Sequence, residues 1–177
     1  MAGRSDAQLV SAAAKGNRSA AGELFSRHWP SAWRLAWGVT GRRELADDVA
    51  QDAFERAFAA LGRFDRRRPF RPWLHRIVVN RSLDLLRSER RLIGPEALDR
   101  VEGEWRDQAG EDRELLAAVA ALSPQRRVVI VLRYGLGYPP TAIAELLELP
   151  VGTVNSRLAR ALEDLRRNER ERDAGRA

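Results

Sequence analysis

Cysteine is absent from the 177 residues. That excludes disulfides, thiolate metal sites and a cysteine nucleophile. Histidine occurs only as His28 and His75, too few for a histidine metal cluster. Lysine occurs once, as Lys15. The longest strongly apolar run, Val128-Val129-Ile130-Val131-Leu132, is far shorter than a membrane span. The opening residues, Met1-Ala2-Gly3-Arg4-Ser5-Asp6, lack the apolar core of a signal peptide. There is no internal repeat and no low-complexity tract. The expectation is a cytoplasmic chain with no membrane insertion, no metal and no cofactor.

Arginine is what the sequence has in quantity. Lysine and arginine together number 31 against 25 acids, a formal charge of +6, with an isoelectric point near 10.9. Arginine suits phosphate and base contacts, although a GC-rich genome would give the same bias. A chain that is 44% apolar and 32% charged fits small helical domains with much exposed surface. The length allows one ordinary domain or two small ones.

The charge is unevenly spread. Residues 62–91 hold ten arginines against Asp65, Asp84 and Glu89. Residues 94–112 hold seven acids against Arg100 and Arg106, with Gly94, Pro95, Gly103 and Gly110 among them. That stretch keeps no helical period and reads as an acidic linker able to reach about 65 Å when extended. The expected division is a domain over 1–91, a linker over 92–112 and a second domain over 113–177.

Both domains read as helical, and no segment reads as a strand, so the expected fold class is all-α. Asp6 can cap a first helix that ends at Gly16. A second follows from Ser19, with Trp29, Trp33 and Trp37 as a core stripe, and Gly41 ends it. Leu45, Val49, Ala53, Phe54, Ala57, Phe58 and Leu61 mark the apolar face of a third helix. Its other face carries Asp47, Asp48, Gln51, Asp52 and Glu55. Gly62 to Pro69 reads as a basic loop. A helix then runs from Phe70 to about Arg90, with Pro72 in its first turn, where proline is tolerated.

In the second domain, Leu115, Leu116, Val119 and Leu122 line one helix. Ser123 and Pro124 read as N-cap and first position of the next, which continues to Tyr134 before Gly135 and Gly137. Pro140 opens a short helix through Leu147, and Glu148-Leu149-Pro150 turns into a last helix from Val151 to about Arg167. The tail from Asn168 onward is expected to fray. Short helix, tight turn, longer helix is the helix-turn-helix pattern. Ile143, Ala144 and Leu147 pack inward from the first helix, and Val154, Leu158, Ala161, Leu162 and Leu165 from the second. That leaves Asn155, Ser156, Arg157, Ala159 and Arg160 toward DNA. Asn can pair with adenine, Arg with guanine, and Ala can touch a thymine methyl.

Two stretches are more specific. The first is Leu45-Ala46-Asp47-Asp48-Val49-Ala50-Gln51-Asp52-Ala53-Phe54, continuing to Arg63-Phe64-Asp65, to Phe70-Arg71-Pro72-Trp73-Leu74-His75-Arg76-Ile77-Val78-Val79-Asn80 and to Asp84-Leu85-Leu86-Arg87. It resembles region 2 of the extracytoplasmic-function (ECF) sigma factors. The second runs from Leu122-Ser123-Pro124-Gln125-Arg126-Arg127 through Val131-Leu132-Arg133-Tyr134 to Val151-Gly152-Thr153-Val154-Asn155-Ser156-Arg157-Leu158-Ala159-Arg160. It resembles region 4 of the same family. Arg66 stands where the family often has glycine. Pro139-Pro140-Thr141-Ala142 replaces the usual Ser-Tyr-Glu-Glu.

The resemblance implies a mechanism. Region 2 would bind the clamp coiled coil of the largest subunit of core RNA polymerase, and would melt and read the −10 promoter element. Region 4 would bind the −35 element as duplex and touch the polymerase flap. An anti-sigma factor is a further expected partner, as for most of the family. Asp47, Asp48, Gln51, Asp52 and Glu55 form an acidic stripe that DNA would repel and a basic protein surface would attract. Phe64, Arg66, Arg67, Arg68 and Phe70 combine aromatics with arginines, as single-stranded bases and phosphates require. Arg76 and Asn80 are added to the −10 set, Asn80 because its amide could read an extruded base edge. A free-standing helix-turn-helix repressor would need neither the stripe nor the loop. An enzyme acting on nucleic acid would need a carboxylate cluster, a phosphate-cradling loop or metal ligands, and none is seen. The expectation is a promoter-specificity subunit without catalytic activity.

Overall fold

The structure, a computed structural model, describes residues 3–93 and 113–176. The acidic segment read as a linker, 94–112, lies outside the described residues. Eight helices are described: α1 (Asp6–Ala13), α2 (Arg18–Thr40), α3 (Arg43–Ala60), α4 (Phe70–Ile93), α5 (Arg113–Ala120), α6 (Pro124–Ile130), α7 (Pro140–Leu147) and α8 (Val151–Arg176). A 3₁₀ turn, Leu61–Arg63, follows α3, and a π turn, Val131–Gly135, continues α6. Among the described residues there is no strand, and no helix is long and apolar enough to cross a membrane.

Local chemistry sets the helix ends. Ser5, not Asp6, caps α1. Its hydroxyl accepts from the Gln8 N–H at 3.3 Å, and Gln8 Oε1 accepts from the Ser5 N–H at 2.9 Å, a complete capping box. Asp6 sits one position inside, where a carboxylate still complements the helix dipole. Asn17 Oδ1 caps α2 by accepting from the Ala20 N–H at 3.0 Å. Gly41 ends α2 in the left-handed region at φ 79°, which glycine adopts without steric cost. Ser123 precedes α6 as expected, but its side chain makes no capping bond. Its carbonyl instead accepts from the Arg126 and Arg127 N–H groups.

The first half is a bundle of α1 to α4, with Leu24, Leu35, Val39, Phe54 and Leu74 in its core. The tryptophan stripe is only half-buried. The indole N–H of Trp33 donates to Asp47 Oδ1 at 2.7 Å, and Trp37 borders a groove between the two halves. In the second half, α7 buries Ile143, Ala144 and Leu146, with Leu147 only half-buried. Glu148 makes the turn with φ 53°, and α8 buries Val154, Leu158 and Ala161. The last helix does not end near Arg167 but continues to Arg176, so the expected frayed tail is helical. Glu169, Arg170 and Glu171 are exposed on it.

The halves pack on each other. Val131 lies against Gly38 so closely that a Cβ there would meet Val131 Cγ1 at 2.8 Å. Arg127, 2% exposed, donates to the Val39 carbonyl at 2.8 Å, and also to the Leu122 carbonyl at 3.1 Å and to the Ala120 carbonyl. The Tyr138 hydroxyl lies 2.9 Å from His75 Nδ1, with the Arg71 guanidinium 5.7 Å above the Tyr138 ring. Arg76 pairs with Glu148.

Candidate polymerase and nucleic-acid interfaces

The α3 face shows why its residues are acidic and which of them are committed elsewhere. The 3.6-residue period puts Ala46, Val49, Ala53, Phe54 and Ala57 in the core. Asp47, Asp48, Gln51 and Glu55 are exposed, and Asp52 is half-buried. Asp47 already accepts from Trp33, and Gln51 donates to Glu55 at 3.2 Å. Asp52 accepts from Arg56 at 2.8 Å and pairs with Arg81 of α4. Burial alone would raise the Asp52 carboxyl. The bonds and charges of Arg56 and Arg81 outweigh it and hold the carboxyl below its ordinary range. Asp52 is therefore partly a structural tie between α3 and α4, whereas Asp48 stands on the open face.

The expected −10 residues divide into two groups. Phe64, Arg66, Arg67, Arg68 and Phe70 line one cleft with Pro69 and Arg71, opposite Asp6, Ala7 and Val10 of α1. Its cavity measures about 340 Å³. Phe70 is 2% exposed, its ring 5.2 Å from His28 and 5.7 Å from Trp73, so it forms core and floor at once. Phe64 is half-buried, 4.5 Å from the Trp73 ring. Asp65 shapes the loop. Its Oδ1 accepts from the Arg67 backbone N–H at 3.1 Å, and its carboxylate takes the Arg67 guanidinium at 3.0 and 3.1 Å. The hydrogen bonds from Arg67 hold the Asp65 carboxyl below its ordinary range. Arg66 donates to Ser11 Oγ at 3.3 Å. Arg76 and Asn80 do not line this cleft. Arg76 is half-buried against Glu148, and Asn80 is exposed further along α4, about 15 Å from Phe70 by helical rise.

The recognition-helix residues fall as the periodicity predicts. Asn155, Ser156, Ala159 and Arg160 are exposed and Arg157 is half-buried. The Ser156 hydroxyl is turned onto its own helix, donating to the Thr153 carbonyl at 2.9 Å. The buried residues on the opposite side fix the rotation of α8, so Asn155 and Arg160 project from its early turns.

The contacts of three residues of consequence were not legible in the sequence. Arg127 looks like any other arginine in an arginine-rich chain, yet it gathers carbonyls at the ends of α2 and α5. His75 and Tyr138 meet from opposite halves. No local pattern encodes a contact across 63 positions.

A helical half with an acidic face and an aromatic-arginine cleft, joined to a helix-turn-helix half, defines a promoter-recognition protein. Residues 24–92 match the family model Sigma-70 region 2, and residues 112–165 match Sigma-70, region 4. The sigma factor CnrH of Cupriavidus metallidurans is 37% identical over 171 residues, covering 88% of this chain and 90% of CnrH. The ECF sigma factor SigW of Bacillus subtilis is 30% identical, covering 89% and 92%. SigM of Mycobacterium tuberculosis, also an ECF sigma factor, is 36% identical, covering 93% and 84%. The solved structure of CnrH in complex with the cytosolic domain of CnrY superposes with a TM-score of 0.69 at 32% identity, over 90% of this chain and 94% of that one. The sigma factor RpoE of Bartonella quintana, solved with the anti-sigma factor NepR, shares the fold at a TM-score of 0.67 and 21% identity, over 84% and 95%. This chain belongs to the sigma-70 family of RNA polymerase sigma factors, in its ECF group. It directs promoter-specific initiation of transcription by core RNA polymerase.

Proposed function

We propose that three surfaces divide the work of initiation. Residues 1–91 form the polymerase-binding and −10 unit, and residues 113–177 form the −35 unit. Asp47, Asp48, Gln51 and Glu55, with Asp52 at the edge, meet the basic clamp coiled coil. The cleft of Phe64, Arg66, Arg67 and Arg68, floored by Phe70, receives a base extruded from the −10 non-template strand. Arg76 and Asn80 contact the neighbouring stretch of that strand. Asn155, Ser156, Arg157, Ala159 and Arg160 read the −35 duplex, and region 4 also touches the flap. The chain has no catalytic activity of its own and acts in the cytoplasm.

One observation carries this reading: an exposed acidic helix face shares a chain of net charge +6 with a cleft lined by arginines and aromatics. DNA would repel the first and fill the second. An anti-sigma factor is a further partner. The groove of about 510 Å³ between the halves, bordered by Trp37, Leu116, Val119, Tyr134 and Leu162, supports it by offering an apolar seat for a helix.

The test is run-off transcription with core polymerase on a genomic promoter library, with and without this protein. Discrete start sites that depend on the protein, and that weaken with Phe64→Ala, are expected. Duplex binding with no polymerase-dependent transcript would instead indicate a free-standing repressor.

A further inference from the structure

The second half of the chain is seated on the first turns of α4, among the cations that face the −10 strand in the reading above. Tyr138, just before α7, reaches two residues there. Its hydroxyl lies 2.9 Å from His75 Nδ1. The Arg71 guanidinium, which also lines the cleft of the 64–70 loop, stands 5.7 Å above its ring. Glu148, in the turn between α7 and α8, pairs with Arg76. Asn155 and Arg160 of α8 are exposed meanwhile. The packed chain therefore covers cations of one promoter surface and leaves the other surface open.

Glu148 is an unusual residue for its position. Its backbone lies in the left-handed region at φ 53° and ψ 47°, where glycine or asparagine is the common occupant. Among the described residues, it is the one non-glycine residue with positive φ. Glycine would take that turn without strain. What the glutamate adds is a carboxylate placed against Arg76.

A carboxylate and a phosphate present the same kind of acceptor to a guanidinium, two anionic oxygens that match its fork of N–H donors. The magnitude decides what such a contact can do. The Arg76 and Glu148 side chains are 37% and 63% exposed, and an ion pair that open contributes little net stability. It occupies the guanidinium but yields to a polyanion. We propose that Glu148 is a built-in phosphate mimic. In the free chain it holds the place on Arg76 that a phosphate of the −10 strand takes, so single-strand binding and packing of the halves compete. This rests on the reading of Arg76 as a −10 contact.

The test measures binding of a fluorescently labelled single strand covering the −10 segment of a promoter mapped by run-off transcription. It is titrated with the free full chain and with holoenzyme assembled from core polymerase. For the free chain, Glu148→Gln should raise affinity about two- to five-fold. It should also steepen the slope of log affinity against log salt by about 0.7, the contribution of one added phosphate contact. Glu148→Gly, which relieves the backbone and so spares the fold, should do the same. Glu145→Gln removes an equal charge from an exposed position on α7 and should leave the salt slope unchanged. In holoenzyme, with the halves parted, Arg76→Ala should weaken binding and Glu148→Gln should have no effect.

A gain from Glu148→Gln no larger than that from Glu145→Gln would overturn the mimic. So would a gain that survives the addition of Arg76→Ala, or an equal gain in holoenzyme. In each of these cases, holoenzyme weakened by Arg76→Ala would leave the −10 reading of Arg76 standing. Arg76→Ala without effect on either form would overturn both.

Discussion

His75 is kept neutral by burial, and a chain of hydrogen bonds with one consistent direction fixes its tautomer. Ser31 donates to the His28 carbonyl at 3.0 Å. Its oxygen, 3.0 Å from His75 Nε2, is then left to accept. The tautomer protonated on Nε2 satisfies every group, because Nδ1 can accept from the Tyr138 hydroxyl. Burial pushes the His75 pKa down to about 3, and the Arg71, His28 and Arg34 charges act in the same direction. An unfolded chain takes up this proton near 6.5. Between those values the unfolded state binds a proton that the native state refuses, so stability falls as pH drops through that window and is unaffected by His75 above it. The slope from this group is about 1.4 kcal/mol per pH unit. Urea unfolding between pH 7.5 and 5 should show it, and His75→Gln should remove it. Parallel curves for parent and variant would refute the assignment. His28 is also lowered, chiefly by burial and against the opposing pull of Asp6, so the difference between the two curves isolates His75. In the sequence, His75 was visible as one of two histidines and as a member of the Phe70–Asn80 run, neither of which reveals its contacts. Its two partners lie 44 positions before it and 63 after it, and only the packed tertiary structure brings them together.

Helices α3 and α8 were the most legible elements, because a 3.6-residue period fixes which side is buried and therefore which side is left for a partner. What the period does not encode is which exposed residues serve the fold. Asp48 and Asp52 look equivalent in sequence, both on the polar face of α3. In the structure Asp52 joins Arg56 and Arg81, one of them on another helix, and Asp48 lies on the open face. Asp48→Lys should therefore weaken binding to core polymerase with an unchanged melting midpoint. Asp52→Lys should weaken binding and also cost about 1 kcal/mol of stability, because its partners are then like charges. Equal stability losses would show that the two positions are interchangeable. On α8, Arg160→Ala and Asn155→Ala should each cost about 1–3 kcal/mol on the cognate −35 duplex. Competition with scrambled duplex is the measurement, and a uniform loss across sequences would make Arg160 a phosphate contact. The choice of Leu146 over Leu147 as the buried residue escaped the sequence. In a helix as short as α7, the neighbouring helix decides the rotation.

At the scale of the whole molecule, the two halves were readable as separate domains, but their packing was not. The charge break at 94–112 argues for a linker and contains nothing about which faces meet. The packed arrangement conflicts with simultaneous promoter recognition. The −10 and −35 elements lie about 25 base pairs apart, roughly 85 Å at 3.4 Å per step. A compact chain of this length spans only about 40 Å, and here His75 and Tyr138 hold α4 and the start of the second half within hydrogen-bonding distance. Engaging both elements requires the halves to separate, and 94–112 is long enough to allow about 65 Å between them. Gly38 is where the packed form is most sensitive. A single added methyl would approach Val131 to 2.8 Å, closer than carbon atoms tolerate, and a β-branched side chain adds two further methyls with little χ1 freedom in a helix. Gly38→Val should therefore drive the halves apart while leaving each helix intact. Small-angle scattering should report a larger radius of gyration with unchanged helical content. Affinity for an isolated −35 duplex should stay at the parent level, because Asn155 and Arg160 are exposed in the packed form already. An unchanged radius would mean that Val131 and its neighbours repack around the added bulk, and that the contact at Gly38 does not hold the halves together.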